Sequence, residues 1–167
     1  MPAARPPASL KARALQWLSQ REHSRAELRA KLLAAARRCD ASNAAPPSAE
    51  DAADRGPEVD ALLDWLAAHR YLSEARFVES RVNARAQRYG NRRITQELAH
   101  KGTSLDAATA EMLKATEFER ARAVWQRKFG AAPAATAANR ARQMRFLAGR
   151  GFTADVIRRV VRGAEDD

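Results

Sequence analysis

The stretch GNRRITQELAHKG, residues 90–102, decides the fold. Ile94 and Leu98 stand four apart, the spacing that puts two side chains on one face of an α-helix. Gly102 follows where a helix commonly closes on a left-handed residue. The pattern recurs along the chain. Ser24-x3-Leu28-x3-Leu32 repeats Gly90-x3-Ile94-x3-Leu98, and Leu147-x3-Gly151 repeats Leu98-x3-Gly102. After those glycines, Ala107, Ala108 and Met112 fall in the places of Val156, Ile157 and Val161. The reading that follows is an all-α chain of tandem three-helix modules.

Working outward, apolar residues recur at helical spacing almost throughout, and no stretch alternates like a strand. Nine helices are expected. They span about 10–20, a second from Ser24, a third opening at Pro57, 73–89, 91–102, a short sixth to 115, 117–129, 134–148 and 153–163. Ser24 and Glu27 have capping-box spacing. Residues 39–56 break the pattern. They are Ala/Ser/Pro-rich and acidic, and read as a flexible insertion. The expected organisation is a disordered lead-in at 1–9, a first module at 10–72 with the insertion at 39–56, a second at 73–115, a third at 116–163 and a tail at 164–167. Modules this small should lean on their neighbours as in a solenoid, which predicts an elongated and curved chain.

The net charge is +10, from 30 Lys+Arg against 20 Asp+Glu. Such an excess favours a polyanionic partner or an acidic protein surface. Cys39 is the single cysteine, so no disulfide can form within the chain, in keeping with a reducing cytoplasm. No apolar run is long enough to span a membrane, and the N-terminus does not read as a secretion signal. No phosphate-cradling glycine loop is present. His23, His69 and His100 are far apart and lack metal-ligand spacing. No catalytic residue, metal site or cofactor is expected.

The informative chemistry is the arginine distribution. Arg81, Arg85 and Arg88 make one stripe on the fourth helix. Arg158, Arg159 and Arg162 lie opposite the Val/Ile stripe of the last helix. Arg92 and Arg93 occupy the first turn of the fifth helix, where cations oppose the helix dipole unless an anion binds there. Arg25, after Ser24, repeats that arrangement, and Lys101, Arg145 and Arg150 complete the candidate binding surface.

The motifs resemble those of the RecX family. Arg21-Glu22-His23-Ser24-Arg25-Ala26-Glu27-Leu28 with Lys31-Leu32 is similar to its opening motif. Tyr71-Leu72-Ser73-Glu74-Ala75-Arg76-Phe77-Val78-Glu79-Ser80 resembles the central one, continued by Gly90-x2-Arg93-Ile94-x2-Glu97-Leu98-x2-Lys101-Gly102. Phe146-Leu147-x2-Arg150-Gly151-Phe152-x2-Asp155-Val156-Ile157 resembles the closing motif. The resemblance covers residues 10–163 apart from the insertion, where the family runs more directly into its third helix. It implies three helix-turn-helix-like modules that bind the RecA recombinase and its DNA filament. It further implies damping of ATP hydrolysis, strand exchange and repressor cleavage in DNA repair and the SOS response. The implied mechanism is non-catalytic, by a monomer with direct contact to single- or double-stranded DNA as a further expectation. The rival readings are a helix-turn-helix transcriptional regulator, which needs a base-reading helix, and an adaptor for another acidic protein.

Overall fold

The computed structural model describes residues 9–42, 55–130 and 136–163. Among them are eight helices and no strand. These are α1 (Leu10–Gln20), α2 (Arg25–Ser42), α3 (Arg55–Ala68), α4 (Glu74–Ala86), α5 (Asn91–His100), α6 (Ala107–Phe129), α7 (Ala137–Gly149) and α8 (Ala154–Gly163). The fold is all-α and built from tandem three-helix repeats, as the periodicity predicts. The expectations for residues 1–8, 43–54 and 164–167, and for a helix beginning at 134, lie outside the described residues.

Three expectations need correction. Helix α2 runs on through Ser42, into the stretch read as an insertion, because its Ala-rich run meets no breaker before Pro46. Helix α3 already begins at Arg55, so Pro57 sits inside its first turn, where its missing N–H costs nothing. The sixth and seventh expected helices are one, the 23-residue α6. Thr116, which falls between the two expected spans, donates its hydroxyl back to the Met112 and Leu113 carbonyls at 2.9 and 3.4 Å, and so stays within the helix. One helix thus closes the second module and opens the third.

The repeat register also shifts. Helix α8 starts three residues after Gly151, whereas α6 starts five after Gly102. Met112 is therefore 54% exposed rather than buried, and Leu113 takes the buried place that Val160 holds in α8.

The residues divide into two compact units, with the division between Phe77 and Val78 inside α4. In the first unit, Ala14 of α1, Leu28 and Leu32 of α2, and Val59, Leu63 and Leu66 of α3 form one fully buried cluster. Ser9 caps α1 and Ser24 caps α2, each hydroxyl accepting a backbone N–H, from Ala12 at 3.2 Å and Glu27 at 3.1 Å. The start of α2 also receives a carboxylate from outside its own helix, for the Arg25 N–H donates to Glu74 Oε1 at 2.5 Å.

His23 is buried beside that start, at 1% exposure. Its Nδ1 lies 3.0 Å from the Arg21 carbonyl and its Nε2 3.1 Å from the Lys31 ammonium. A neutral ring fits both partners: Nδ1–H donates to the carbonyl, and Nε2 accepts from Lys31. Burial holds the ring below its ordinary value near 6.5, and the nearby Arg21 and Lys31 charges push the same way. The folded state then binds fewer protons than the unfolded chain, so stability falls as pH drops through about 6.5. Thermal melting of the whole chain between pH 7.5 and 5.5 should show this loss. His23→Asn, which keeps a donor and an acceptor but cannot titrate, should flatten it. An unchanged slope in that variant would assign the pH response elsewhere.

In the second unit, Val124 and Trp125 of α6, Leu147 of α7, Phe152, and Ile157, Val160 and Val161 of α8 form the principal core. The Trp125 indole N–H donates to Gln143 Oε1 at 3.0 Å, so this buried pair leaves neither group unsatisfied. Helices α5 and α7 end alike. Gly102 and Gly151 have φ of +70° and +82°, and the following N–H groups of Thr103 and Phe152 return to Leu98 and Leu147 at 3.1 and 3.3 Å.

Two features lock the modules of this unit together. Backbone meets backbone where the Gly90 N–H donates to the Arg150 carbonyl at 2.9 Å and the Arg92 N–H to the Gly151 carbonyl at 3.1 Å. A Cβ on Gly90 would lie 2.3 Å from Gly151 O and from two Phe152 backbone atoms. The second feature is Glu117 of α6, a carboxylate only 2% exposed. Its Oε1 accepts from Asn91 N at 3.0 Å and Thr153 N at 3.2 Å, and its Oε2 from Thr153 Oγ at 3.1 Å. One buried acid therefore caps the starts of both α5 and α8, where the helix dipoles favour negative charge.

Candidate functional site

The structure sorts the candidate cations by their partners. Arg25 is paired with Asp64 at 2.7 Å, and Arg158 with Asp155. Arg85 and Arg93 share Glu97, at 2.9 and 3.6 Å. Half-buried Arg81 and Lys101 line a cleft of about 310 Å³ with Arg85, Glu97 and His100, over Ile94 and Leu98. Arg92, Arg145 and Arg162 are exposed, with no carboxylate partner among the described residues. Arg159 is also exposed, its guanidinium 4.5 Å from the centre of the Phe118 ring. The outward placement of Arg158, Arg159 and Arg162, with Val160 and Val161 buried, is as the α8 pattern predicts.

Arg25, Arg92 and Arg93 stand at helix starts, and Arg92 and Arg93 line an open cleft of about 410 Å³ with Glu97 and His100. An anion stands at each start, and it is internal: Glu74 on α2 and Glu117 on α5. The Arg92 N–H is itself taken by the Gly151 carbonyl. Cations are tolerated in these first turns because a carboxylate from a distant helix already offsets the dipole.

Helix α4 and the turn after it present four carbonyls, from Ala86 to Tyr89, beyond the reach of intrahelical donors. Three guanidinium groups serve them. Arg120 donates to Ala86 O at 3.1 Å and Tyr89 O at 2.9 Å, Arg127 to Gln87 O at 2.8 Å, and Arg150 to Arg88 O at 3.4 Å. Arg120 also reaches Asn91 Oδ1 at 2.5 Å and Leu113 O at 2.9 Å. Burial lowers its pKa, an effect opposed by the Glu117 charge one turn away. Part of the cationic surplus is therefore structural.

The same fan of side chains shapes an open cleft of about 450 Å³. Arg88, Arg127, Lys128 and Arg150 bring four cations to it, and Tyr89 and Phe146 supply aromatic walls above Val124. No acidic residue lines it. Arg150 lies 4.6 Å from the Phe146 ring centre, and its Nε is buried without a partner. On the other wall, Arg93 lies 4.3 Å from the Tyr89 ring centre. Of these residues the sequence pointed to Arg88 and Arg150. Arg127 and Lys128 were legible only as the basic last turn of a helix before Gly130, and nothing local marked Glu117 or Arg120.

Among the described residues, no group of three or more His, Cys, Asp or Glu side chains could hold a metal ion. No described helix is long and apolar enough to cross a membrane.

Comparison with known proteins matches two family domains in tandem. Residues 73–113 match "RecX, second three-helix domain" and residues 115–161 match "RecX, third three-helix domain". Curated relatives extend the likeness over the whole chain. The regulatory protein RecX of Leptothrix cholodnii is 48% identical, covering 100% of this chain and 96% of that protein. That of Ralstonia pickettii is 46% identical over 99% and 94%. That of Chromobacterium violaceum is 40% identical over 95% and 93%.

Proposed function

The chain belongs to the RecX family of regulatory proteins, and on that premise we propose that it binds the RecA recombinase and its DNA filament in the cytoplasm and restrains their activity without catalysing a reaction. The observation that carries this reading is the likeness of nearly the whole chain to proteins named for regulation. The cation sorting supports it. A filament presents phosphates and acidic side chains over a long surface, and an extended basic surface complements that better than a single pocket does. The cations free of internal carboxylates carry most of the contact: Arg88, Arg92, Arg145, Arg150, Arg159 and Arg162. Arg25, Arg85, Arg93 and Arg158 contribute less, because an existing ion pair must be broken first. Arg81 and Lys101 take part through the cleft they line.

The test is RecA's DNA-dependent ATPase. Sub-stoichiometric protein should suppress it, since a non-catalytic blocker of a filament acts on many subunits at once. Normal turnover at equimolar protein would sink the proposal.

A further inference from the structure

We propose that the cleft formed by Arg88, Tyr89, Arg127, Lys128, Phe146 and Arg150 binds a nucleotide unit of a single nucleic-acid strand, phosphate on the cations and base against the aromatic walls. The proposal deepens the filament reading: it rests on that reading for its setting and assigns this cleft to the strand rather than to the protein that coats it.

Charge comes first. Four like charges share one open cleft with no acidic residue in its lining, and none of the four has a carboxylate partner among the described residues. This differs from the α4–α5 cleft, where Glu97 already answers Arg85 and Arg93. Like charges crowded in this way repel, and a bound anion reverses the sign of that interaction.

Position is the second point. Arg127 is held by the Gln87 carbonyl at 2.8 Å and the Ala123 carbonyl at 3.3 Å. Arg150 is held by the Arg88 carbonyl and by the face of Phe146. Each guanidinium has five N–H donors, so these bonds fix the groups while leaving donors for a ligand. The Arg150 Nε, buried and without a partner, is one donor still unused. Fixed guanidinium forks suit phosphate oxygens and lose little freedom on binding.

The aromatic walls decide between polyanions. An acidic peptide would need only the cations. Tyr89 and Phe146, both part-exposed, add ring surface to a basic groove beside the Arg93 and Arg150 guanidinium groups that each cover one face, and cations with aromatic rings are the combination that single-strand binders use to stack bases without reading sequence. The volume of about 450 Å³ exceeds what a phosphate alone requires.

The experiment uses the full chain without RecA and a fluorescent oligothymidylate, with an abasic oligonucleotide of equal length and a poly-glutamate of equal charge as competitors. The wild-type chain should bind oligothymidylate more tightly than the abasic strand by about fivefold or more. Poly-glutamate should compete weakly. Arg88→Gln with Lys128→Gln, both exposed positions, should reduce affinity by about tenfold or more and lower the salt slope by about 1.4, two contacts at ~0.7 each. Circular dichroism of that variant checks that the fold is kept, and Lys128→Gln alone provides a milder second variant. Equal binding of the abasic strand, stronger binding of poly-glutamate, or unchanged affinity in both folded variants would overturn the proposal. The ATPase assay on the same samples separates the two readings. Suppressed RecA turnover without oligonucleotide binding overturns the cleft assignment alone. Oligonucleotide binding with normal RecA turnover supports the cleft and overturns the filament reading.

Discussion

Glu117→Ala is expected to destabilise the second unit by about 3–5 kcal/mol, since each buried donor left unpaired costs roughly 1–3 kcal/mol. Three donors lose their acceptor together: the backbone N–H groups of Asn91 and Thr153 and the Thr153 hydroxyl. Alanine also removes the negative charge that sits on two helix starts. For a unit of this size the loss corresponds to a fall in melting temperature of roughly 15 °C or more. Glu117→Gln is the informative control. Its carbonyl can still accept from both backbone N–H groups, and its amide can donate to the Thr153 hydroxyl, which can turn to accept. Glutamine should therefore lose much less, about 1–2 kcal/mol, the part due to charge. Urea unfolding followed by Trp125 fluorescence, in a background with Trp17 and Trp65 replaced by phenylalanine, would measure both. An alanine variant within 1 kcal/mol of the wild type would show that water replaces the carboxylate at no great cost.

Gly90→Ala should be nearly as damaging, although the φ of Gly90, −79°, suits any residue. The obstacle is space. The new methyl group would stand 2.3 Å from Gly151 O, Phe152 Cα and Phe152 N, all backbone atoms that cannot swing aside. Relief requires opening the Gly90–Arg150 and Arg92–Gly151 hydrogen bonds that join the two modules. Overpacking costs about 1–3 kcal/mol where side chains can shift, and more where only backbone can move. An expected loss of about 3 kcal/mol or more should appear in the same unfolding experiment. Gly149→Ala, where a methyl group meets nothing within 4 Å, should be close to neutral and serves as the comparison. Equal stability of the two variants would rule out the steric account.

These two residues also mark how far the sequence could be read. Gly90 was visible as punctuation and as the counterpart of Ser24, but its need for close approach arises from Gly151, 61 positions away. The helical stripes were legible because burial imposes a 3.6-residue period on a single helix: Ile94 and Leu98, or Val156 to Val161, carry that information locally. The helix-closing Gly102 and Gly130 were legible because a positive φ after the last turn favours glycine, which is also a local requirement. What was hidden depends on partners distant in sequence. Glu117 looked like one more surface carboxylate, yet it accepts at two helix starts, from Asn91, 26 residues before it, and from Thr153, 36 after it. Arg120 and Arg127 looked like surplus charge, yet they close the end of α4. The two helices expected to end at 115 and begin at 117 are joined because Thr116, bonded back to the preceding turn, continues the helix. For the candidate surface, the local pattern gave the arginines but not their pairing, since Asp64 and Glu97 approach from other helices or other turns.

The continuity of α6 makes this helix a rigid shaft with a module keyed to each end. Leu113 falls in the second three-helix domain and Glu117 in the third, and their angular offset is fixed by four residues of helix. Inserting one residue between them would turn the far end by about 100° and slide it by about 1.5 Å. The Gly90–Gly151 seam and the double cap on Glu117 would both be thrown out of phase. Seven added residues would nearly restore the angle, to within about 20°, but would lengthen the shaft by about 10 Å and still pull the seam apart. Length variation in this lineage should therefore fall in the connecting segments on either side of the shaft and spare its interior.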